Sequence, residues 1–336
     1  MNNMDNDKKI EFKDKYTQEE ISKQTIFISI ASYRDNQLPK TIQSLLDNAE
    51  YPERITIGVL HQIDYENDVD CIYKGDNKNI KQHMVDFRSA LGVCWARNYI
   101  FTNILEDELF AFQIDSHIRF EENWDTTLLN MYYSANDELA VFSHYPMSYN
   151  SEDEVKDEKS YTKFTSDSFS SDNIHIIKPL STPYEDAPEH PEQTYHVGGG
   201  YIFGNSKIFK YDVQYDPYIY FTGEEHTYAL RLWTSGYNIY LPNKHILWHD
   251  YVNKNRKSSK KFSFNDDKLW VKKNDLSYKR CNHILRTKLT DDAKALENIH
   301  LYGLGIVRTI FDYQDKFGIN FFTKTIEEKT NHGKFD

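Results

Sequence analysis

An apolar run at residues 109–114 ends abruptly in Asp115, Ser116 and His117. Such a run is typical of a buried strand that delivers polar side chains to the edge of a sheet. Residues i and i+2 of an extended segment point to the same side, so Asp115 and His117 can converge on one cation while Ser116 faces away. The pattern predicts a metal site at this strand end. The alternative is an Asp-Ser turn with an exposed histidine.

Strands and helices alternate through the first third of the chain, which predicts an α/β fold with a mainly parallel sheet. In such sheets the ligand lies beyond the carboxyl ends of the strands, where the sequence places both Asp35 and Asp115. The predicted strands are residues 26–31, 54–61 and 110–115, and the predicted helices are residues 38–46 and 92–105.

Changes of composition divide the chain into three predicted parts: a polar segment at 1–24, an α/β domain at 25–252, and a basic loop with a helical extension at 253–336. Residues 150–192 lose their periodicity and fill with Ser, Asp, Glu, Thr and Pro, which predicts an irregular insertion that is either a lid or disordered. The basic stretch 254–261 either closes over phosphates or is a solvated loop. The apolar pattern of residues 289–317 predicts one or two helices, with a cap near Thr290.

The composition excludes several classes of protein. The net charge of −12 argues against binding along a nucleic acid backbone, which needs a basic face. Three widely separated cysteines, Cys71, Cys94 and Cys281, match no zinc spacing, so we expect no disulfide framework and a reducing, cytoplasmic setting. No apolar run approaches the roughly 18 residues of a membrane span. The sequence does not indicate an oligomeric state.

Three glycines, Gly198 to Gly200, precede an apolar strand in the block that begins at His196. Glycines at such a place let the backbone approach a ligand closely, or they form a structural turn. The block has neither a Walker phosphate loop nor a Rossmann fingerprint.

Two adjacent carboxylates, Glu224 and Glu225, follow Gly223 and open an amphipathic helix. One acid can face a cleft while the other binds a partner group. The alternative is that both are present because acidic residues stabilise a helix N-terminus.

A second hydrophobic segment, at residues 246–248, again ends in a histidine, His249. Together with Asp115 and His117 it would supply a third ligand, although a single histidine here is also typical of a core residue. Carboxylate and imidazole ligands combined with phosphate oxygens and water suit Mn²⁺. Zinc fits less well, because no cysteine contributes.

The order and spacing of these blocks resemble the retaining GT-A nucleotide-sugar glycosyltransferases. The resemblance is strongest to the cytoplasmic hydroxyproline-linked N-acetylglucosaminyltransferases that modify the Skp-type adaptor of ubiquitin ligases, and to their bacterial relatives. The polypeptide N-acetylgalactosaminyltransferases use a similar series of elements. The resemblance covers residues 25–251 and extends toward residue 318. It rests on ISIASYRD at 28–35, RSALGVCWAR at 88–97, QIDSH at 113–117, HVGGG at 196–200, GEE at 223–225 with RLW at 231–233 and GY at 236–237, and WH at 248–249.

The resemblance implies a GT-A fold, a UDP-sugar donor and a Mn²⁺ or Mg²⁺ cofactor, and the eukaryotic relatives imply N-acetylglucosamine as the sugar. Residues 150–192 carry no motif of the family, so the acceptor, a protein or a glycan, stays open. By position, the resemblance implies that the uridine is surrounded by Ala31, Ser32, Arg34 and Asp35, and that the nucleotide or its loop is held by Arg88 and Arg97. It implies that the metal is bound by Asp115, His117 and His249. It also implies that the donor sugar lies near Gly199 and Gly200, and that the sugar hydroxyls or the acceptor are contacted by Glu224 and Glu225.

Retention of the anomeric configuration is implied by the resemblance alone. In a retaining enzyme the acceptor hydroxyl attacks from the face that the phosphate leaves, and the phosphate takes the proton. In the inverting alternative Glu224 or Glu225 is the base. A further alternative is a non-catalytic module that binds a nucleotide-sugar or a carbohydrate.

Overall fold

The computed structural model describes residues 11–150, 152, 154–251 and 266–335. The basic stretch 254–261 therefore lies outside the described residues. In chain order the strands are β1 (Ile26–Tyr33), β2 (Ile55–Ile63), β3 (Ile80–Asp86), β4 (Phe110–Ile114), β5 (Ile118–Phe120), β6 (Ala140–Ser143), β7 (Met147–Asn150), β8 (Val155–Lys156), β9 (Ser160–Thr165), β10 (Lys178–Pro183), β11 (Glu192–Thr194), β12 (Tyr201–Asn205), β13 (Asn238–Leu241), β14 (Leu247–His249), β15 (Ile319–Asn320) and β16 (Thr325–Ile326).

Helices cover both faces of the central sheet and form the C-terminal part of the chain. Among the described residues they are α1 (Gln18–Ser22), α2 (Leu38–Asp47), α3 (Val93–Asn103), α4 (Trp124–Ser134), α5 (Glu224–Thr234), α6 (Trp270–Leu285), α7 (Ile299–Tyr302), α8 (Ile310–Phe317) and α9 (Glu328–His332).

The central sheet has eight strands in the order β11-β13-β6-β12-β4-β1-β2-β3. Strands β3, β2, β1 and β4 are parallel to one another, and β12 is antiparallel to both of its neighbours, β4 and β6. The prediction of an α/β fold with a mainly parallel sheet is confirmed.

Strands β1 and β4 are apolar on both faces because each face of the sheet carries its own core. Ile28 and Phe112 pack on one face with Leu45 of α2, while Phe27 packs on the other with Phe101 of α3. Continuous apolar runs are the pattern of strands buried on both sides. The carboxyl ends of these two strands are therefore the first places where polar side chains can collect.

A smaller sheet with the order β5-β14-β7-β8 brings distant sequence to the end of β4. Strand β5 begins at Ile118, directly after His117, and pairs antiparallel with β14 so that His249 lies opposite Ile118. The pairing explains how a residue far along the chain reaches the Asp115 region.

The segment 150–192 contains more regular structure than its composition indicates. Strands β9 and β10 form an antiparallel pair, and Tyr161 and Phe164 of β9 are buried. Phe164 packs edge-on against Tyr145, with ring centroids 4.9 Å apart. Aromatic burial holds this hairpin in place despite the polar sequence around it.

The C-terminal helices pack against α5 and the loop that precedes it. Arg280 of α6 forms a buried ion pair with Asp216 at 2.6 Å, and Tyr313 of α8 donates a hydrogen bond to the backbone carbonyl of Tyr195. No helix in the described part of the chain is long and apolar enough to cross a membrane.

The cap predicted near Thr290 is wrong. Thr290 Oγ1 accepts from the backbone N–H of Asp292, and Asp292 Oδ1 accepts from that of Lys294, which makes two short turns instead of a helix start. Thr and Asp side chains compete with helix formation in this way. Helix α8 instead begins at Thr309, which forms a capping box with Asp312.

Candidate active site

A cavity of about 470 Å³ lies at the carboxyl ends of β1 and β4, where the fold predicts a ligand. Its volume is in the range of small-molecule sites, ~300–1,000 Å³. Ten of the residues singled out from the sequence line it: Ala31, Asp35, Arg97, Asp115, His117, Gly199, Gly200, Glu224, Glu225 and His249.

Asp115, His117 and His249 come together on one wall of the cavity. Each offers a ligand atom, and these atoms lie within 4.8 Å of one another. His249 Nε2 is 3.0 Å from Asp115 Oδ2, and the two imidazole rings are edge-to-face with centroids 4.7 Å apart. One carboxylate and two imidazoles beside an open cavity form a donor set that fits a divalent transition-metal ion with further ligands from a substrate.

His117 is oriented by Asp35, which lies at the end of β1. Nδ1 of His117 is 2.7 Å from Asp35 Oδ2, and the same oxygen accepts from the hydroxyl of Ser116 at 2.7 Å. The backbone N–H of Gln37 donates to the other oxygen of Asp35 at 2.9 Å. Burial raises the pKa of Asp35, but the contacts with His117, Ser116 and Gln37 outweigh it and lower the pKa. Asp35 therefore stays ionised.

Arg97 of α3 joins two acidic groups of the cavity. Its Nη2 lies 2.9 Å from Asp115 Oδ1, and its Nη1 donates to Glu224 Oε1.

Burial raises the pKa of Asp115, but hydrogen bonding to His249 and the charge of Arg97 overcome this and lower the pKa strongly. Burial raises the pKa of Glu224 despite Arg97, and the neighbouring charge of Glu225 adds to the rise. The buried guanidinium thus keeps Asp115 ionised and fixes Glu224.

Glu225 is held by three groups. Its Oε1 accepts from the backbone N–H of Gly199 at 2.6 Å, its Oε2 accepts from the hydroxyl of Tyr145 at 2.7 Å, and His196 Nε2 lies 3.6 Å away. Burial raises the pKa of Glu225, but His196, Gly199 and Tyr145 together lower it below its ordinary value.

The glycine turn lies against the acidic groups with no room for a side chain. A Cβ on Gly200 would lie 2.9 Å from Asp115 Oδ2, and one on Gly199 would lie 2.9 Å from Arg97 Nη1. Neither glycine has a positive φ, so close approach rather than backbone conformation requires glycine at these two positions.

Three of the residues singled out from the sequence do not line the cavity. Ser32 is fully buried in β1, whereas Arg88 is exposed and paired with Asp86 at 2.7 Å. Arg34 is paired with Asp68 at 2.7 Å and lies over the ring of Phe87, 4.2 Å from its centroid.

Sequence reasoning missed several lining residues, among them Gln62, Phe221 and Tyr251. Gln62 lies near the carboxyl end of β2, so the rule that selected Asp35 and Asp115 would also have selected it. Tyr251 lies with its ring 4.1 Å from that of His249 and donates to the carbonyl of Pro146 at 3.0 Å. No local sequence signal marks Phe221.

The chain matches the protein family described as Glycosyltransferase (GlcNAc) over residues 25–76 and 73–323. No curated protein sequence matches it. Among solved structures, GalNAc-T7 with UDP, GalNAc and Mn²⁺ is similar at 14% identity and a TM-score of 0.63, with 90% of this chain and 58% of that chain covered. This chain thus spans 58% of the length of the GalNAc-T7 chain.

Two structures of S. aureus TarS are also similar in part. The fragment 1–349 has a TM-score of 0.45 at 10% identity, with 68% of this chain and 60% of that chain covered. The same fragment in complex with UDP has a TM-score of 0.44 at 11% identity, with 81% and 68% covered. These likenesses are weak. The likeness to GalNAc-T7 is one of fold, and it confirms the predicted GT-A architecture.

Proposed function

The chain belongs to the Glycosyltransferase (GlcNAc) family, and on that premise we propose that it is a retaining, metal-dependent enzyme that moves N-acetylglucosamine from a UDP-sugar to a hydroxyl group of a protein or glycan. The observation that carries the proposal is the convergence of Asp115, His117 and His249 on the wall of a cavity at the carboxyl ends of β1 and β4. These residues would hold a divalent cation, which would stabilise the negative charge of a departing diphosphate.

The proposed donor and cation have separate support. The name of the family supports N-acetylglucosamine as the sugar. The structure of GalNAc-T7, which shares the fold, contains UDP and Mn²⁺, and this supports the same nucleotide and ion here. The ionised Asp115 and the His117 imidazole held by Asp35 provide the donor atoms that Mn²⁺ or Mg²⁺ accepts.

The state of the two glutamates favours retention over inversion. A general base in an inverting enzyme must take a proton from the acceptor hydroxyl. Glu225 is a weak base because its pKa is lowered, and both of its oxygens already accept hydrogen bonds. Glu224 is paired with Arg97. Both side chains are therefore better suited to positioning the glycine turn and hydroxyl groups than to taking a proton.

In the proposed reaction the bond between the anomeric carbon and the diphosphate oxygen breaks, and a bond from the acceptor oxygen forms on the same face. The hydroxyl proton moves to the departing oxygen, so the products are the glycoside and UDP. Arg97 and the ionised Asp35 hold their partners fixed during this step, which spares reorganisation in the transition state. A hydroxyproline or other protein hydroxyl, a glycan acceptor and a cytoplasmic setting all stay predictions.

The proposal is tested by release of UDP from UDP-N-acetylglucosamine, UDP-glucose, UDP-galactose and UDP-N-acetylgalactosamine, with Mn²⁺ and then with a chelator. We expect chelator-sensitive release, highest with UDP-N-acetylglucosamine, that is lost in Asp115→Ala and His249→Ala. Proton NMR of the first product formed should show the α-anomer.

Other outcomes would choose among the alternatives. A β-anomer together with loss of activity in Glu225→Gln or Glu224→Gln would establish inversion. Binding of UDP-sugar by calorimetry with no release under any condition would leave a binding module. Release that is unchanged by chelator and by Asp115→Ala would defeat the metal assignment.

A further inference from the structure

A second group of three histidines, of which His226 lines the cavity, lies apart from the three proposed ligands at Asp115. His175, His196 and His226 come from three different parts of the chain, and each offers a ring nitrogen within 4.8 Å of the others. Their ring centroids are 4.5 Å apart for His175 and His226 and 4.8 Å apart for His196 and His226. We propose that these three histidines form a second metal site, which binds a zinc-class ion through neutral imidazoles.

The hydrogen bonding of the three rings leaves most of their nitrogens without a partner. Both ring nitrogens of His175 and of His196, and Nδ1 of His226, are buried and have no hydrogen-bond partner among the described residues. His175 is 2% exposed and His196 is fully buried. Buried polar atoms are normally satisfied, because each one left unpaired costs about 1–3 kcal/mol. A cation bound to one nitrogen of each ring would satisfy three of these five unpaired ring nitrogens.

The one hydrogen bond in the group fixes the tautomer that a metal requires. His226 Nε2 lies 2.8 Å from the backbone carbonyl of His175. A carbonyl only accepts, so Nε2 carries the proton, and in the neutral ring the buried Nδ1 keeps its lone pair. A histidine that ligates through one nitrogen while the other donates to a carbonyl is the usual arrangement at metal sites.

The surroundings favour neutral imidazoles at His175 and His226. Burial lowers the pKa of His175 well below its ordinary value, and it lowers the pKa of His226 to about 3. The ring of Phe164 lies 5.1 Å from that of His196, and the ring of Phe321 lies 5.9 Å from that of His175. A neutral imidazole is the form that binds a metal, and an apolar shell limits access by water.

The donor set distinguishes this group from the one at Asp115. Three imidazoles suit Zn²⁺, Cu²⁺, Fe²⁺ or Ni²⁺, whereas Mn²⁺ and Mg²⁺ favour oxygen ligands. Tetrahedral zinc with three histidines leaves a fourth position. A carboxylate oxygen, Oε2 of Glu225, lies 3.6 Å from His196 Nε2. His226 also lines the main cavity, which gives an ion a path inward.

The consequence of binding is structural. His175 belongs to the segment 150–192, His196 precedes the glycine turn, and His226 follows Glu225 at the start of α5. An ion bound by all three histidines would link the segment 150–192 to the glycine turn and to α5, both of which line the cavity. The site does not depend on which donor sugar is used or on whether sugar is transferred.

The test uses a variant in which the first group is removed and the histidines are intact. Asp115→Asn combined with His249→Asn is dialysed against Zn²⁺, and the bound metal is measured by mass spectrometry. We expect one equivalent of zinc, with an X-ray absorption spectrum that shows scattering from imidazoles. We expect Co²⁺ to give the strong visible absorption of a tetrahedral site in the same protein.

Adding His226→Gln to this variant should abolish the bound zinc, while adding His190→Gln, at an exposed histidine, should leave it in place. If His226→Gln does not fold, as judged by circular dichroism, the absorption spectra of the variant with intact histidines decide the question. No bound zinc in that variant, or zinc with no imidazole scattering, would overturn the proposal. These measurements do not use transferase activity, so they are independent of the proposed function.

Discussion

Asp35 Oδ2 lies 2.7 Å from Nδ1 of His117, and this contact fixes which nitrogen of the imidazole faces the cavity. The ionised carboxylate can only accept, so Nδ1 donates, and in the neutral tautomer that binds a metal the lone pair is on Nε2. A carboxylate behind a metal-binding histidine holds the ring in place and raises its basicity. Asp35 therefore acts through His117.

Removing this carboxylate should weaken metal binding without removing a ligand. We expect Asp35→Ala to raise the Mn²⁺ concentration for half-maximal UDP release by about 10–100-fold. Asp35→Asn, which keeps an acceptor oxygen but not the charge, should have a smaller effect. The measurement is UDP release as a function of Mn²⁺ concentration. Asp47→Ala, at an exposed residue at the end of α2, is the matched control and should leave the dependence unchanged.

An unchanged Mn²⁺ dependence in Asp35→Ala would show that His117 is not a ligand, or that Asp35 does not orient it. Loss of activity at every Mn²⁺ concentration, with the half-maximal concentration unaltered, would instead indicate a direct contact between Asp35 and the donor.

A methyl group at residue 200 should disturb the metal ligands while leaving the fold intact. The Cβ of Gly200→Ala would lie 2.9 Å from Asp115 Oδ2 and 3.4 Å from a carbon of the His249 ring, so the carboxylate must move. We expect at least a tenfold lower kcat/KM for UDP release and little change in the free energy of unfolding, because the backbone at this position suits alanine.

Gly204→Ala is the control for this substitution. Gly204 lies in β12, where the new Cβ would come 3.0 Å from the flexible end of Ile208 and 3.4 Å from the backbone carbonyl of Ala140, but would meet no metal-site residue. The rate of UDP release per folded molecule of Gly204→Ala should equal that of the unmodified protein. Equal activity of Gly200→Ala and Gly204→Ala would contradict the close approach at Asp115.

The parts of the site that could be predicted from the sequence are those that follow from local pattern. The end of β4 is predictable because an apolar run stops at Asp115. Asp115 and His117 do come together, but Ser116 and His117 form a bend after β4 instead of extended strand. The expectation that Ser116 faces away is therefore wrong, since Ser116 also lines the cavity and donates to Asp35. His249 was identifiable because a second apolar run ends there. The pairing of β5 with β14, which brings the two segments together, depends on tertiary structure and has no local signal.

The roles of individual polar side chains could not be read in the same way. Arg88 and Arg97 lie in one sequence block, but Arg97 is on the buried side of α3 and Arg88 is in the exposed turn before it. The sequence alone does not show which of the two faces the cavity. The grouping of His175 with His226 was likewise not predictable, because the residues between them include strands of two different sheets and several loops, and their packing sets the distance.

Arg97 should be required for both stability and activity. It is 3% exposed and lies between the buried Glu224 and the partly exposed Asp115, so Arg97→Met leaves the buried carboxylate of Glu224 without its cation. Loss of one partner of a buried ion pair costs about 3–5 kcal/mol. We expect a decrease of that size in the free energy of unfolding, measured by urea titration, and no detectable UDP release from the folded fraction.

The control for Arg97 is a buried ion pair that lies away from the cavity. Arg54 Nη2 is 2.7 Å from Asp125 Oδ2, and neither side chain lines the cavity. Arg54→Met should lower the free energy of unfolding by a similar amount, but the rate of UDP release per folded molecule should be unchanged. If both variants lose stability and activity together, Arg97 has no role beyond the fold.

Stability should fall between pH 7 and pH 5 because two buried histidines resist protonation. Burial, with the nearby His245, lowers the pKa of His144 to about 3, and burial, with the nearby Lys159 and Lys156, lowers the pKa of His245 to about 3. A histidine in the unfolded chain has a pKa of about 6.5. The contribution of these two neutral histidines to the free energy of unfolding is therefore fully present above pH ~6.5. It is lost as the pH falls from there toward pH ~3, because the unfolded chain takes up protons that the folded protein does not.

The expected loss from pH 7 to pH 5 is about 2 kcal/mol for each of these two histidines, since only the unfolded state takes up the proton in this range. Urea titrations at both pH values, in the presence of a chelator, measure it directly. The double variant His144→Gln with His245→Gln should lose about 4 kcal/mol less over this interval than the unmodified protein, whatever its stability at pH 7. His190→Gln, at an exposed histidine, should keep the full pH dependence. A double variant with the same pH dependence as the unmodified protein would show that His144 and His245 are protonated in the folded state at pH 5, and that their burial does not set the acid limit of this fold.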